Sequence, residues 1–144
     1  MFADRARQDR EGGAVASKFT ELIVDCHDPR AVAEFWCAVL GYRITDEDPT
    51  GVEIAGWDTD AMRAATGPVP PTIVFIRVPE GKTVKNRLHI DVNPSDRDQD
   101  EEVARLEALG ARRVDVGQGP DVSWVVLADV EGNEFCVLQG RVST

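Results

Sequence analysis

The sequence predicts an α+β fold made of two paired βαβββ modules, whose strands form a curved mixed sheet around a cleft while the helices lie outside. Two observations support this prediction. The order of one strand, one helix and three strands occurs twice along the chain, and the two helix ends, AVLGYRI and EALGARRV, resemble each other. Such a repeat indicates duplication. Because one helix covers only one face of a four-stranded sheet, the free faces of two modules enclose a ligand-sized cleft.

The first module follows a polar, aperiodic stretch, residues 1–17, which is predicted to be a flexible tail. We expect a single domain over residues 18–139, with the first module at about 18–80. Its first strand is FTELIVD, and its helix lies in HDPRAVAEFWCAVLG, where Asp28 caps the helix and Gly41 ends it. The helix presents an apolar stripe of Val32, Phe35, Trp36, Val39 and Leu40. Three further strands are YRITDED, GVEIAGW and PTIVFIRVP.

A 16-residue insertion, GWDTDAMRAATGPVPP, separates the third and fourth strands of this module. It carries Trp57 and Met62 and is longer than most connections, and long loops often serve as lids or binding loops. The insertion is therefore predicted to cover the cleft. The alternative is a surface loop whose tryptophan packs locally.

The second module spans about 86–139 and repeats the pattern. RLHIDVN is its first strand, and SDRDQDEEVARLEALG is its helix, with Val103, Leu106 and Leu109 apolar and Gly110 as the stop. ARRVDVG, VSWVVLADV and NEFCVLQ are the remaining strands.

Composition and charge narrow the classes of partner. The formal charge of −10, from 26 acidic and 16 basic residues, repels phosphate backbones and anionic lipids, so we expect neither nucleic acid nor membrane binding. A small-molecule ligand is expected instead. No apolar run is long enough to span a membrane, and because the charged start has no apolar stretch we expect no secretory signal. Three cysteines without CxxC spacing suggest free thiols, and the chain is expected to be cytoplasmic.

Three stretches carry a family resemblance: DPRAVAEFWCAVLGY after the first strand, NRLHIDV at the start of the second module, and LADVEGNEFCVL near the end. Together they resemble the vicinal oxygen chelate superfamily of glyoxalases, bleomycin-resistance proteins and extradiol dioxygenases, and above all its small actinobacterial glyoxalase-like domains. The resemblance covers roughly 18–139. It implies paired βαβββ modules, a homodimer, and a divalent metal on inner strands with open positions for vicinal oxygens of a substrate.

The resemblance also assigns positions to the metal ligands. The family's first-strand histidine corresponds to Glu21, its second-module histidine to His89, and its closing glutamate to Cys136. The family's carboxylate position on the fourth strand has no counterpart in PTIVFIRVP. The resemblance thus implies a metal set of Glu21, His89 and Cys136, which as carboxylate, imidazole and thiolate would suit Zn²⁺, Fe²⁺, Ni²⁺ or Mn²⁺.

Strand alternation tests whether these side chains can converge. Alternation places Glu21, His89 and Cys136 on three strands that can face one cleft. A carboxylate on an apolar strand must be solvated, paired or liganded. The alternatives are a histidine paired with Glu21 or Asp91, a cysteine that fills the core, and metal-free catalysis in which Glu21 or His89 accepts a proton while Asp91 orients His89. The other histidine, His27, is expected to be a loop or capping residue.

Two function classes follow, ranked ahead of a partner-binding regulatory module, for which the sequence offers no specific feature. The first is a glyoxalase-like lyase or a dioxygenase-like metalloenzyme acting on a small oxygen-rich metabolite, and the second is a metal-free binding or sequestering protein of the bleomycin-resistance type. The sequence leaves open whether the chain is an enzyme. No GxSxG or phosphate-binding loop is present. The predicted substrate-binding residues are Trp57, Arg87, Asp91, Trp124 and Glu134.

Overall fold

The computed structural model describes residues 17–144, so all but Ser17 of the predicted flexible tail lies outside the described residues. The first module comprises β1 (Glu21–Cys26), α1 (Pro29–Leu40), β2 (Arg43–Asp48), β3 (Gly51–Ala55), α2 (Thr59–Ala64) and β4 (Thr72–Arg77). The second comprises β5 (Asp91–Val92), α3 (Gln99–Ala108), β6 (Arg112–Arg113), β7 (Val125–Ala128) and β8 (Glu134–Val137). In this part of the chain, no helix combines the length and the apolar character needed to cross a membrane.

The two modules share one sheet topology, which confirms the predicted pair of βαβββ units. The strand order is β1-β4-β3-β2 in the first sheet and β5-β8-β7-β6 in the second. In both, the first strand pairs in parallel with the last, and the other neighbours are antiparallel. Within the described residues the two sheets remain separate, and β1 and β5 are edge strands.

Helix α1 begins and ends where the local sequence predicts. The Asp28 carboxylate accepts a hydrogen bond from the backbone N–H of Ala31 at 3.1 Å, and Pro29 occupies the first turn, where its missing N–H costs nothing. Gly41 adopts φ +69°, the left-handed conformation that ends helices and that glycine takes without a steric penalty. The apolar stripe of α1 buries Val32 and the rings of Phe35 and Trp36, which contact the second module.

Helix α3 begins with a capping box, in which Asp98 and Glu101 satisfy each other's backbone N–H groups. It buries Val103 and Leu106 fully. Leu109, which the sequence places on the buried stripe, is instead 38% exposed, because the helix proper ends at Ala108 and Leu109 is the cap residue.

The two modules share one hydrophobic core. Phe35 and Trp36 of α1 make edge-on contacts with Phe135 of β8, with ring centroids 6.1 and 5.0 Å apart. On the other side, the Arg105 guanidinium of α3 donates to the α1 carbonyl oxygens of Ala38 and Val39. Helix α1 therefore holds the second module against the first.

The LADVEGNEF stretch forms a polar link between the modules. The buried Asp129 accepts a hydrogen bond from the Trp36 indole N–H at 3.0 Å and, in its own turn, from the backbone N–H groups of Glu131 and Asn133. The Glu131 carboxylate in turn accepts from the backbone N–H groups of His27 (2.6 Å) and Asp28, just before α1. The sequence reasoning used this stretch only as a mark of family and missed its structural role.

The structure differs from the predicted elements in two places. The insertion contains a short helix, α2, whose start is capped by the Asp58 carboxylate and whose last carbonyls accept from the Lys18 ammonium. In the second module the strands are shorter than predicted: β5 pairs with β8 only at Asp91 and Val92, and β6 comprises only Arg112 and Arg113.

Candidate functional site

Each sheet has one face toward the shared core and one open face. On the first sheet, Leu22 and Val24 of β1 lie on the core side, whereas Ile23, at 48% exposure, lies on the open side with Glu21. On the second sheet the open side carries Cys136, since its neighbours Phe135 and Val137 belong to the core. The candidate ligands all lie on these open faces.

His89, Asp91 and Cys136 converge on the open face of the second sheet, and we name them the His89 cluster. One ligand atom from each residue lies within 4.8 Å of the others. Asp91 and Cys136 are register partners on the parallel strands β5 and β8, and His89 precedes Asp91 by two residues, so alternation puts it on the same side. The Nδ1 atom of His89 lies 3.2 Å from an Asp91 carboxylate oxygen.

The cluster combines a buried sulfur with two solvent-facing groups. The Cys136 residue is 8% exposed, while the side chains of His89 and Asp91 are 44% and 46% exposed. Burial, followed by the charge of Asp91 and a hydrogen bond to it, raises the pKa of the Cys136 thiol. In the absence of a cation the thiol is therefore protonated at neutral pH.

The donor set fits a divalent metal ion. Nitrogen, oxygen and sulfur ligands together suit Zn²⁺ and the neighbouring first-row metals, and three protein ligands leave coordination positions for a substrate. A bound cation would favour the thiolate form of Cys136, whereas burial and the charge of Asp91 favour the protonated thiol. Two ligand residues face solvent, so an entering ion and a substrate can reach the cluster.

Glu21 lies elsewhere. Its carboxylate is 3.4 Å from the Arg63 guanidinium of α2, over the open face of the first sheet, and it is not part of the His89 cluster. Within one chain the structure therefore brings His89 and Cys136 together with Asp91, and the predicted meeting with Glu21 does not occur. Asp91, expected to bind substrate or orient His89, occupies the carboxylate position of the cluster.

A polar network that the sequence reasoning missed surrounds Glu21. Glu53, on the central strand β3, is only 8% exposed; its carboxylate accepts hydrogen bonds from the Thr45 and Thr72 hydroxyls at 2.7 and 3.3 Å and pairs with Arg63. It lies in a polar depression of about 450 Å³ on the open face. The signal was available in GVEIA, where one carboxylate interrupts a buried strand.

Glu134 anchors the connection between the modules. Its carboxylate pairs with the Lys82 ammonium at 2.8 Å and accepts from the backbone N–H of Asn86 at 3.0 Å. Burial by itself raises the pKa of Glu134, but the hydrogen bonds from Lys82 and Asn86 outweigh it and hold the pKa below its ordinary value. Glu134 is thus a charged anchor whose oxygens are already engaged.

A cavity of about 860 Å³ lies between the modules, and we name it the intermodule cavity. Its apolar walls include, from both halves of the chain, Leu22, Val24, Trp36, Ile73, Phe75 and Phe135. The exposed side chains of Ile23 and Leu88 also line it. Of the predicted site residues, Arg87, His89 and Glu134 also line it, whereas Asp91 and Cys136 do not. His89 therefore belongs to both the cavity lining and the His89 cluster.

The two remaining candidate tryptophans differ in their surroundings. Trp57 packs edge-on against Tyr42, with ring centroids 5.3 Å apart, and its buried indole N–H has no hydrogen-bond partner among the described residues. This contact matches the alternative of local packing. Trp124 is 40% exposed and lies in the bend just before β7, two residues ahead of Val126, the register partner of Cys136. His27 lies just before α1, with Nε2 3.0 Å from the Pro79 carbonyl oxygen.

Comparison with known proteins agrees with this architecture. The profile of the glyoxalase-like domain family matches residues 21–138. A glyoxalase/bleomycin resistance protein/dioxygenase family enzyme from Burkholderia phytofirmans is similar in structure, with 20% identity, a TM-score of 0.59, and coverage of 84% of this chain and 97% of that one. A search of curated proteins found no match.

Two further structures share the fold at lower identity. The fosfomycin resistance protein FosX from Listeria monocytogenes, complexed with Mn(II) and a sulfate ion, has a TM-score of 0.61 at 13% identity, with coverage of 89% of this chain and 93% of that one. The oxidase ChaP-H2 has a TM-score of 0.57 at 14% identity, with coverage of 90% and 98%. At such identities the likeness concerns the fold.

Proposed function

Because this chain belongs to the glyoxalase-like domain family, we propose that it is an enzyme that acts on an oxygen-rich metabolite at the His89 cluster, with a divalent metal as cofactor. One observation carries the proposal: His89, Asp91 and Cys136 offer ligand atoms within 4.8 Å of one another on an open sheet face. The Mn(II) complex of the similar FosX supports metal use in this fold. The free cysteines suit a reducing, cytoplasmic setting.

The residues of the cluster have separable roles. Asp91 accepts a hydrogen bond from His89 Nδ1, which fixes the tautomer and leaves the Nε2 lone pair for a ligand or a proton. Cys136, buried behind them, supplies a soft sulfur donor. A bound metal ion would act as a Lewis acid on a substrate oxygen. Substrate enters from the solvent side, where Trp124 offers an aromatic face on which a planar group can stack.

Glu21 enters this proposal through a second copy of the chain. Both β1 and β5 are unpaired sheet edges, and exposed apolar side chains flank them, Ile23 at 48% and Leu88 at 81% exposure. Exposed apolar edges favour pairing with another chain. We propose a homodimer in which β1 of one copy approaches β5 of the other, so that Glu21 of one chain faces the His89 cluster of its partner as a further metal ligand.

Metal binding is the first test. Untagged protein purified without chelator is offered Fe²⁺, Ni²⁺, Zn²⁺ or Mn²⁺ in turn, and bound metal is measured by elemental analysis. We expect about one ion per chain, lost in His89→Ala and Cys136→Ser, while the matched controls His27→Ala and Cys37→Ser retain it. Turnover of small compounds with adjacent oxygens should then stop on chelation and return with one ion. A wild-type protein without metal would refute the metal centre and favour the metal-free binding protein.

The dimer has its own test. Glu21→Ala and His89→Ala variants, each defective in metal binding, are unfolded together, refolded and compared with each variant refolded alone. If Glu21 serves the partner's cluster, a mixed dimer regains one complete site, so metal content rises to about one ion per four chains in a random mixture. If Glu21 serves its own chain or none, mixing restores nothing. A monomer by light scattering at micromolar concentration would also contradict the arrangement.

A further inference from the structure

We infer that the intermodule cavity binds the apolar body of a ligand whose single oxygen-bearing end reaches His89. The inference rests on the proposed function, because it takes the His89 cluster as the reacting end, and it deepens that function by naming the substrate class. That class is a molecule whose adjacent oxygens lie together at one end and whose remaining body is aromatic or otherwise apolar, larger than a two- or three-carbon metabolite.

The size of the cavity suits a ligand larger than a small metabolite. Pockets that hold drug-sized ligands span about 300–1,000 Å³, and the intermodule cavity, at about 860 Å³, lies near the upper end of that range. A metabolite of a few carbon atoms would leave most of this space to water against apolar walls. An apolar body that fills the space gains the free energy of removing those walls from water.

Most polar groups around the apolar walls already have hydrogen-bond or ion-pair partners within the protein. The Trp36 indole N–H donates to Asp129, whose carboxylate also accepts from Asn133. Lys82 and Glu134 neutralise each other at 2.8 Å. These groups require no compensating charge inside the ligand.

His89 differs from those groups because one of its ring nitrogens remains free within the described residues. Its side chain is 44% exposed, its Nδ1 atom is engaged by Asp91, and no hydrogen bond to its Nε2 atom occurs within residues 17–144. It is also the one member of the His89 cluster that lines the cavity. Arg87 also lines the cavity, and no hydrogen bond or ion pair engages its guanidinium within the described part of the chain. The polar end of the ligand is therefore expected at the His89 imidazole, with Arg87 as a second group that can take a carboxylate.

Calorimetric titration with two carboxylates that share the polar end tests the inference. 2-Naphthoate carries an apolar body and acetate does not. We expect wild-type protein to bind 2-naphthoate at least about 100-fold more tightly, the preference that burial of two fused rings supports. Two variants that fill the cavity, Leu22→Trp and Val78→Trp, should each reduce the preference below about 10-fold. Val130→Trp, which adds the same bulk at an exposed site outside the lining, should retain it.

Metal content, measured in the same samples, separates the two proposals. Leu22→Trp and Val78→Trp should bind metal as wild type does. His89→Ala should lose the metal and bind both carboxylates more weakly, but it should keep the preference for 2-naphthoate. A cavity-dependent preference in protein that binds no metal would support the cavity site and refute the metal centre. Metal-loaded protein that does not prefer 2-naphthoate would overturn the inference. This includes the case in which a second copy of the chain fills the cavity. A preference unchanged in both filled variants would overturn it too.

Discussion

Removing the Asp129 carboxylate should uncouple the two modules. This side chain is 2% exposed and accepts from four donor groups, one of them the Trp36 indole N–H of the first module at 3.0 Å. In Asp129→Ala those donors lose their acceptor, and the Trp36 residue that carries one of them is only 3% exposed. We therefore expect a large loss of stability from a residue that lies outside the proposed site.

The magnitude follows from the number and burial of the orphaned donors. A buried donor left without an acceptor costs about 1–3 kcal/mol, and hydrogen bonds to a charged group contribute about 1.5–3 kcal/mol each. The backbone donors at Glu131 and Asn133 are partly accessible and regain water, so we assign about 1 kcal/mol to each. The sum is about 3–5 kcal/mol, a large share of the roughly 5–15 kcal/mol typical of a domain, and corresponds to a drop in Tm of about 10–15 °C.

Urea unfolding followed by fluorescence and circular dichroism measures this loss, with Asp121→Ala as the control at an exposed aspartate for which the structure shows no hydrogen bond. Trp36→Phe removes the indole donor together with part of a buried ring, so its own loss also contains a packing cost. The coupling energy from the double mutant isolates the hydrogen bond and should be about 1–2 kcal/mol. A loss below about 1 kcal/mol in Asp129→Ala, or a loss equal to that of Asp121→Ala, would refute the idea that this carboxylate links the modules.

Three further outcomes are expected. Glu131→Gln should destabilise the protein by about 1–2 kcal/mol, because a charged acceptor is lost at the start of α1; thermal unfolding measures this, and an unchanged Tm would contradict it. Arg63→Met should cost about 1–3 kcal/mol by leaving the buried Glu53 without its cation, whereas Arg63→Lys should recover part of the loss in the same urea titration, and equal losses would argue against the ion pair. Burial, aided by the charge of Glu131 but opposed by Arg77, raises the pKa of Cys26 to about 12, so at pH 8 only about one native thiol in ten thousand is ionised. Iodoacetamide should therefore label Cys26 in urea but not in the folded protein, as peptide mass spectrometry would show, and rapid native labelling would contradict its burial.

Much of the fold could be read from the sequence because its signals are local. The start of α1 depends on Asp28 and Pro29 and its end on Gly41, all within a turn of the helix they define. The duplicated order of elements predicted the two sheets, whose shared topology the structure confirms. Helix α2 was missed because six residues carry too little periodicity to stand out, although Asp58 offered a cap signal.

The candidate site could be predicted only in part. Alternation placed His89 and Asp91 on one side of a strand, but the approach of Cys136 depends on the parallel pairing of β5 with β8, 45 positions apart between Asp91 and Cys136. Sequence periodicity fixes which face a side chain takes and says nothing about which strand lies beside it. Glu21 was grouped with the others by family correspondence, and in the chain it lies with Arg63 instead.

By itself, the sequence determined the two-module α+β architecture, the caps of α1, and the side of each strand on which the candidate ligands lie, because hydrophobic periodicity and capping act over a few residues. Only the tertiary structure decided that Asp91 completes the cluster with His89 and Cys136, that Asp129 joins the modules, and that a cavity remains between them. Those features depend on contacts between distant residues, and their geometry exists only once both modules have packed around Trp36.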